Sequence, residues 1–178
     1  GDNGDTYFVT AIGKDAMKSN ATVTSITLGD NVTTIGDGAF RRANAIKSLK
    51  TGAMLRTIGA EAFRHDVRLA TATFGSNLET IGPYAFAGNE SLKSVTVGNM
   101  ATAIGEGAFQ NCINLTSIKL GDSISAIGGN AFRGDVSLTD ISIPFNVTRI
   151  EQSTFAGATH LAKITLGTRV NSIGPARC

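Results

Sequence analysis

Large apolar residues recur along this chain at a constant interval of 23 residues. One set consists of phenylalanines, namely Phe40, Phe63, Phe86, Phe109, Phe132 and Phe155, and a second set consists of isoleucines, namely Ile12, Ile35, Ile58, Ile81, Ile104, Ile127, Ile150 and Ile173. Most of the isoleucines precede a glycine. A fixed interval of this length is typical of stacked units that bury their apolar faces against one another. The sequence therefore predicts a solenoid of about seven coils.

A third apolar block in each interval alternates with polar residues. Val95 and Val97 alternate with Ser94 and Thr96, and a period of two indicates a strand with one buried and one solvated face. Glycine follows the block in most intervals, and Pro144 does so once, which permits the chain to turn out of the strand. Stacked strands of this kind form a parallel ladder with a spacing of about 4.8 Å, so the solenoid should be roughly 35 Å long.

These patterns predict an α/β-type leucine-rich-repeat solenoid, which is a right-handed superhelix with a parallel β-ladder on its concave face. We expect the segment around each phenylalanine, such as Gly107-Ala108-Phe109, to form a short strand or a helical turn on the other wall. The whole chain, 1–178, should form a single domain. Residues 1–8 are expected to be an N-terminal cap in which Tyr7 and Phe8 cover the first coil, and residues 174–178 an irregular C-terminal end.

The composition agrees with short strands and turns more than with a helical bundle, because it is 42% hydrophobic and includes 21 glycines. The formal net charge of +2 does not require a nucleic acid or an anionic membrane as partner. No run of apolar residues reaches the roughly 18 to 20 that a membrane span needs. We therefore expect neither nucleic-acid binding nor membrane insertion of this segment.

The repeated pattern L-x-x-I-x-L-G/P-x-x-V-x-x-I-G-x-x-A-F-x-x-C resembles the BspA-like, or treponemal-type, leucine-rich repeats of bacterial and protist surface proteins. The resemblance covers nearly the whole chain, and it implies a secreted or surface-attached protein that acts as an adhesin. Two departures stand out. Arg177 and Cys178 occupy the last Ala-Phe position, and a single coil keeps the cysteine of the family pattern. The residues in that cysteine column are Ala43, Asp66, Asn89, Cys112, Asp135 and Ala158.

The solvated face of the strands is the first candidate binding surface. Repeat solenoids commonly bind their partners on the strand ladder. The alternative is that serine and threonine are there simply because they suit a solvated strand, and this face lacks the tryptophan, tyrosine and arginine of binding hot spots. Its candidate ligand-binding residues are Ser94, Thr96, Ser117, Lys119 and Asp140.

A basic column directly after the phenylalanines is the second candidate surface. It contains Lys18, Arg41, Arg64 and Arg133, and Arg42, His65 and Arg68 are expected nearby. Such a column could bind an acidic protein, a sulfated glycan or a phosphate backbone. The alternative is that these arginines only keep the wall soluble.

The tripeptide Arg133-Gly134-Asp135 matches the sequence that integrins recognise in adhesive proteins. A chain rich in these three residue types produces such a tripeptide by chance, and Asp135 lies in a column that may face inward. The tripeptide is therefore a weak third candidate.

Catalysis finds little support in the sequence. His65 and His160 are expected four coils apart, which is too far for a shared metal or a proton relay. No cofactor-binding or nucleophile motif is present. Cys112 is expected to be a buried apolar residue, whereas Cys178 could pair with a second chain.

Two functions remain open at this point. The first is a non-catalytic binding module of an extracellular or cell-surface protein, with an extracellular protein or glycan as partner. The second is a structural spacer or self-association module, in which uncapped coil ends stack on one another and no side-chain face has a dedicated ligand.

Overall fold

The computed structural model describes residues 8–175, and every regular element in that range is a short β-strand. Seven strands have three residues and eight have two. They are β1 Ala11–Ile12, β2 Ser25–Thr27, β3 Thr34–Ile35, β4 Ser48–Lys50, β5 Thr57–Ile58, β6 Thr71–Thr73, β7 Thr80–Ile81, β8 Ser94–Thr96, β9 Ala103–Ile104, β10 Ser117–Lys119, β11 Ala126–Ile127, β12 Asp140–Ser142, β13 Arg149–Ile150, β14 Lys163–Thr165 and β15 Ser172–Ile173.

The three-residue and two-residue strands form two separate parallel ladders. Each strand pairs with its counterpart one coil away, as Ser94 pairs with Ser117 and Ile104 with Ile127. The partners are always 23 residues apart, so the register is the one that the sequence interval predicts. Among the long strands the hydrogen-bonded ladder is interrupted between β6 and β8 and between β10 and β12, although these strands remain neighbours in space. The parallel ladder predicted from the alternating block is confirmed.

The core is a set of columns that run along the solenoid. The central residue of each strand from β2 to β13, apart from the two-residue strands' first positions, points inward, while its neighbours on the long strands remain largely exposed. The phenylalanines form a continuous stack in which successive ring centroids lie 5.0, 5.1, 5.5, 6.0 and 5.7 Å apart. Their ring planes are within 11° of parallel. Each coil therefore completes its core only through the coils on either side of it.

The arc that carries each phenylalanine contains no helix anywhere in residues 8–175, so the α/β description and the helical turns expected from the sequence are wrong. The physical reason is a pair of left-handed residues in each coil. Glu61 and His65 flank Phe63 with φ of 56° and 62°, and the equivalent residues of the neighbouring coils behave in the same way. A right-handed helix cannot include such residues.

Hydrogen bonds along the arc alternate between two kinds of partner. Arg64 N–H donates within its own coil to Glu61, at 3.1 Å, whereas Phe63 N–H donates to Ala85 of the next coil, at 2.7 Å. The same alternation recurs around Phe86 and Phe109. Half of the arc's N–H groups thus bond between coils, which makes the arc a third line of attachment beside the two ladders.

The glycine after each isoleucine is required by the closeness of adjacent coils. A Cβ atom placed on Gly105 would lie 2.5 Å from the backbone nitrogen of Pro83, and one on Gly128 would lie 2.4 Å from that of Glu106. Contacts this short do not occur between real atoms. The Ile-Gly pattern in the sequence therefore marks the place where coils approach each other most closely.

The two ends of the solenoid differ from its middle. Phe8 is 66% exposed and so does not cover the first coil as the sequence suggested, and Tyr7 lies outside the described residues. At the other end all three residues of β14 are exposed. The expected departure at Arg177 and Cys178 also lies outside the described range.

We expect Phe109→Ala to lower the free energy of unfolding by about 3–5 kcal/mol, because the ring is fully buried between Phe86 and Phe132 and nothing can fill the space. Urea denaturation followed by circular dichroism measures the change. Phe109→Leu serves as the control and should cost less. A loss below about 1 kcal/mol for the alanine variant would show that the stack contributes little.

Candidate ligand-binding surfaces

The outward side chains of the long strands form one polar surface, which we call the strand face. It comprises the first and third residues of β2, β4, β6, β8, β10, β12 and β14. Ser94 and Thr96 lie beside Ser117 and Lys119 in register, and all four are exposed. Asp140 is also exposed and lies opposite Lys163. The structure therefore brings together all five residues that the sequence proposed for this face.

The strand face has a regular geometry because its backbone is fixed on both sides. The central residues Val95 and Ile118 are buried beneath it. The exposed residues are mainly hydroxyl side chains, with Lys50, Lys119 and Lys163 as positive charges and Asp140 as a negative one. It is an open surface suited to a broad ligand, and it offers no deep cavity among these residues for a small substrate.

The basic column on the arc is largely neutralised by carboxylates that the sequence analysis did not consider. The Arg41 guanidinium lies 2.5 Å from Glu61 and 3.9 Å from Asp15, and Arg64 lies 3.1 Å from Glu61. The Arg41 hydrogen bond is the main cause of a lowered pKa for Glu61. Lys18 lies 4.0 Å from Asp15. These four coils' worth of arc thus form an internal ion-pair network more than a free cationic surface.

Arg133 does not join this network. Ala87 and Gln110 occupy the arc positions between Arg64 and Arg133, so the column is broken for two coils. Arg64 lies 5.5 Å from the centre of the Tyr84 ring, which turns it toward that neighbour. The structure therefore does not unite Arg41, Arg64 and Arg133 into one stripe.

His65 lies beside the arc network in a shallow depression together with Lys18, Arg41 and Arg64. Burial is the main cause of its lowered pKa, and the positive charges of Arg64 and Arg42 lower it further. The lowered pKa favours the neutral imidazole at physiological pH.

The column that holds cysteine in the family pattern points into the core. Asp66 accepts a hydrogen bond from the backbone N–H of Ala43 at 2.7 Å, and Asp135 accepts one from Cys112 at 2.8 Å. Asn89 accepts the equivalent bond from Asp66 at 2.9 Å. Each of these side chains thus satisfies the backbone one coil earlier. Polar residues occupy this column because they serve a backbone donor.

The burial of Asp135 removes the integrin-type tripeptide as a candidate. Asp135 has 0% exposure, and its carboxyl group is bonded to the backbone of the preceding coil. A recognition motif must present its carboxylate to the partner, and this one cannot do so without unfolding of the coil. The tripeptide is a product of two structural columns.

Burial also raises the pKa of both acids to about 8, against an ordinary value of 3.8. The bond to Ala43 or Cys112 opposes this shift but is the weaker effect. One carboxyl oxygen of Asp66 and one of Asp135 have no hydrogen-bond partner within the described part of the chain. At neutral pH both groups are therefore mainly uncharged.

The remaining candidates for chemistry are dispersed. Cys112 is fully buried, as expected, and its thiol donates to the Phe86 carbonyl at 3.2 Å. Burial raises the pKa of this thiol well above its usual range. His160 bonds the Val136 carbonyl. Across residues 8–175, no group of three His, Cys, Asp or Glu side chains is placed to hold a metal ion. Cys178 lies outside that range.

A shallow groove at the leading edge of the strand face was missed by the sequence analysis. Its lining includes Lys47, Arg68 and Lys93. Arg68 was expected beside the basic arc, but the structure places it here, across the coil from the phenylalanine. A signal was present in the sequence, because Lys47 and Lys93 lie 46 residues apart, which is two intervals, but the two lysines were not compared.

The solenoid with its polar strand face defines a leucine-rich-repeat protein. The model of the BspA-type leucine-rich-repeat region matches residues 10–139 and 80–177, with six copies. This chain therefore belongs to the BspA-type leucine-rich-repeat family, which confirms the resemblance seen in the sequence.

Solved structures agree with this assignment at the level of the fold. A leucine-rich-repeat protein of T. pallidum superimposes with a TM-score of 0.83 at 23% identity, over 92% of this chain and 77% of that one. A leucine-rich cell surface protein of Faecalibacterium prausnitzii gives a TM-score of 0.63 at 23% identity, over 94% of this chain and 61% of its own length. None of the curated proteins matches. Within the described part of the chain, no helix has the length and apolar character of a membrane span.

The buried acids predict a stability that falls with rising pH. Between pH 3.8 and about 8 the folded chain binds more protons at Asp66 and Asp135 than the unfolded chain does, so deprotonation favours unfolding. The double variant Asp66→Asn, Asp135→Asn keeps the acceptor oxygen, as Asn89 does naturally. We expect it to exceed the parent in stability by at least about 2 kcal/mol at pH 8, and by much less at pH 4.

Chemical denaturation at several pH values measures this difference. Asp140→Asn on the strand face is the matched control, because that carboxylate is exposed and its replacement should leave the pH dependence unchanged. Parallel stability curves for the parent and the double variant would contradict the buried-acid interpretation.

Proposed function

We propose that this chain is a non-catalytic binding module of a secreted or cell-surface protein, and that it acts in adhesion to an extracellular protein or glycan. The observation that carries the proposal is the strand face. Seven strands hold exposed side chains at a constant repeat on a backbone fixed by hydrogen bonds. Such a surface can contact a large partner at many points without first becoming ordered, which reduces the entropic cost of binding.

Membership of the BspA-type family supports an interaction role for the repeats. The solved F. prausnitzii structure is described as a leucine-rich cell surface protein, and the present chain shares its fold. That description supports an extracellular or cell-surface location for this chain. The chain spans 61% of that protein, so further parts of the relative have no counterpart here.

The proposed ligand-binding residues are those of the strand face, namely Ser94, Thr96, Ser117, Lys119 and Asp140. The arc arginines Arg41 and Arg64 are a weaker choice because Glu61 and Asp15 already neutralise them. A ligand at the arc would have to displace these ion pairs, whereas a ligand on the strand face would not.

The alternative function is a spacer or self-association module, and the open C-terminal end favours it. Ile164, Leu166 and Ile173 are 43%, 42% and 68% exposed, although they continue columns that are buried in every inner coil. A stacked coil from a second copy would cover them, as one coil covers another within the solenoid. Cys178, also proposed for pairing between chains, lies outside the described residues.

We expect the variant Thr96→Glu, Ser117→Arg to lose at least about tenfold in capture of its ligand from a panel of extracellular-matrix proteins. Each new side chain faces an opposite native charge, Lys119 and Asp140 respectively, so the net charge is unchanged and the fold should be retained. The comparison variant is Arg41→Gln, Arg64→Gln, Arg133→Gln, here called the arc variant, which should capture normally. Surface plasmon resonance measures both. Loss confined to the arc variant would move the binding site to the arc.

Self-association is tested separately by sedimentation velocity over a wide concentration range. If the spacer function holds, the parent associates with increasing concentration, and Leu166→Asp, Ile173→Asp abolishes this because charges do not pack into an apolar contact. Phe145→Asp is the control, since Phe145 is also exposed but does not lie at the end of the solenoid. A parent that stays monomeric throughout would exclude the spacer function.

A further inference from the structure

The groove at the leading edge of the strand face has an unusual concentration of free positive charge. It is lined by Lys47, Arg68, Ala70, Ser91, Lys93 and Asn114. Lys47, Ala70 and Lys93 each directly precede a long strand, in three successive coils, and the small side chain of Ala70 leaves space between the two lysines. The lysines should thus stand about 10 Å apart, which is twice the strand spacing. Arg68 comes from the middle coil and borders the same space.

The backbone beneath the groove is held by coil-to-coil hydrogen bonds. Ala70 N–H donates to the Lys47 carbonyl at 2.9 Å, and Thr116 N–H donates to the Lys93 carbonyl at 2.9 Å. The polar side chains of the wall are also engaged, because Ser91 donates to the Val67 carbonyl at 2.6 Å and Asn114 to that of Glu90 at 2.7 Å. The floor is therefore fixed, and the charged groups of the groove remain free to contact a ligand.

None of the three cations forms an ion pair with any carboxylate of residues 8–175. Glu90 is next to Ser91 in the sequence, yet it too makes no ion pair with them. Lys50, on the adjoining strand face, is likewise exposed and unpaired in this range. The arc shows the opposite arrangement, in which Glu61 binds both Arg41 and Arg64. The free positive potential of the molecule is thus concentrated at the groove.

We propose that this groove binds a sulfated glycan, an inference that rests on the proposed binding function and names the ligand class for one edge of the strand face. Three separated cations on a fixed floor suit a chain that carries several anionic groups. The lining has no aromatic or large apolar side chain. It therefore lacks both the anchors that fold-to-fold protein contacts use and the stacking platforms that single-stranded nucleic acids use. Sulfate groups need neither.

Heparin is the probe for this proposal, and isothermal titration with the whole chain is the measurement. We expect the groove variant Lys47→Gln, Arg68→Gln, Lys93→Gln to bind heparin at least about tenfold more weakly than the parent at 0.15 M salt. The arc variant removes the same number of positive charges and should stay within about threefold of the parent. Unchanged circular dichroism spectra and melting curves for both variants establish that each is folded.

Three results would overturn the proposal. The first is heparin affinity that falls equally in the groove and arc variants, which indicates attraction by net charge alone. The second is affinity unchanged in the groove variant, or no heparin binding by the parent. The third is binding of duplex DNA or polyglutamate that is as tight as heparin and as sensitive to the groove variant, which would replace a sulfated glycan by any polyanion.

The two proposals fail separately in these experiments. Loss of matrix-protein capture in Thr96→Glu, Ser117→Arg, without heparin binding by the parent, would retain the binding module and remove the glycan groove. Groove-dependent heparin binding, without any capture that depends on the strand face, would retain the groove and remove the strand face as the site of adhesion.

Discussion

The close stacking of identical coils is the constraint on which the rest of this structure depends. Backbone hydrogen bonds join each coil to the next along the long strands, the short strands and the arc. Because the same residue positions must meet in every coil, the interval of 23 residues is kept throughout, and glycine is needed where coils approach most closely. The phenylalanine stack fills the space that this geometry leaves.

The same constraint explains the buried polar column. The arc must turn away from each phenylalanine, and the backbone N–H at that point would remain unpaired unless the next coil supplied an acceptor. Cys112 can occupy the position as a compact side chain, whereas Asp66 and Asp135 supply an oxygen and take up a proton in order to remain buried. Residues that look like candidates for recognition in the sequence thus serve the attachment of one coil to another.

The sequence was sufficient for the solenoid, the strands and their register, because these depend on apolar periodicity. It was insufficient for the arc, because the left-handed conformations of residues such as Glu61 and His65 are imposed by neighbouring coils and leave no residue-type signal. The exposed strand residues followed from alternation. The neutralisation of Arg41 by Glu61 did not, because those residues are 20 positions apart and meet only when adjacent coils stack. Charge free for binding was therefore visible only in three dimensions.

The attachment of each coil solely to its neighbours has a mechanical consequence. Tension applied along the axis would act on the ladders edge to edge, so coils would detach in succession from an end rather than all together. Each released coil of 23 residues adds roughly 70 Å of extended chain. A protein that tethers a cell could in this way lengthen under load while its remaining coils still present the ligand face.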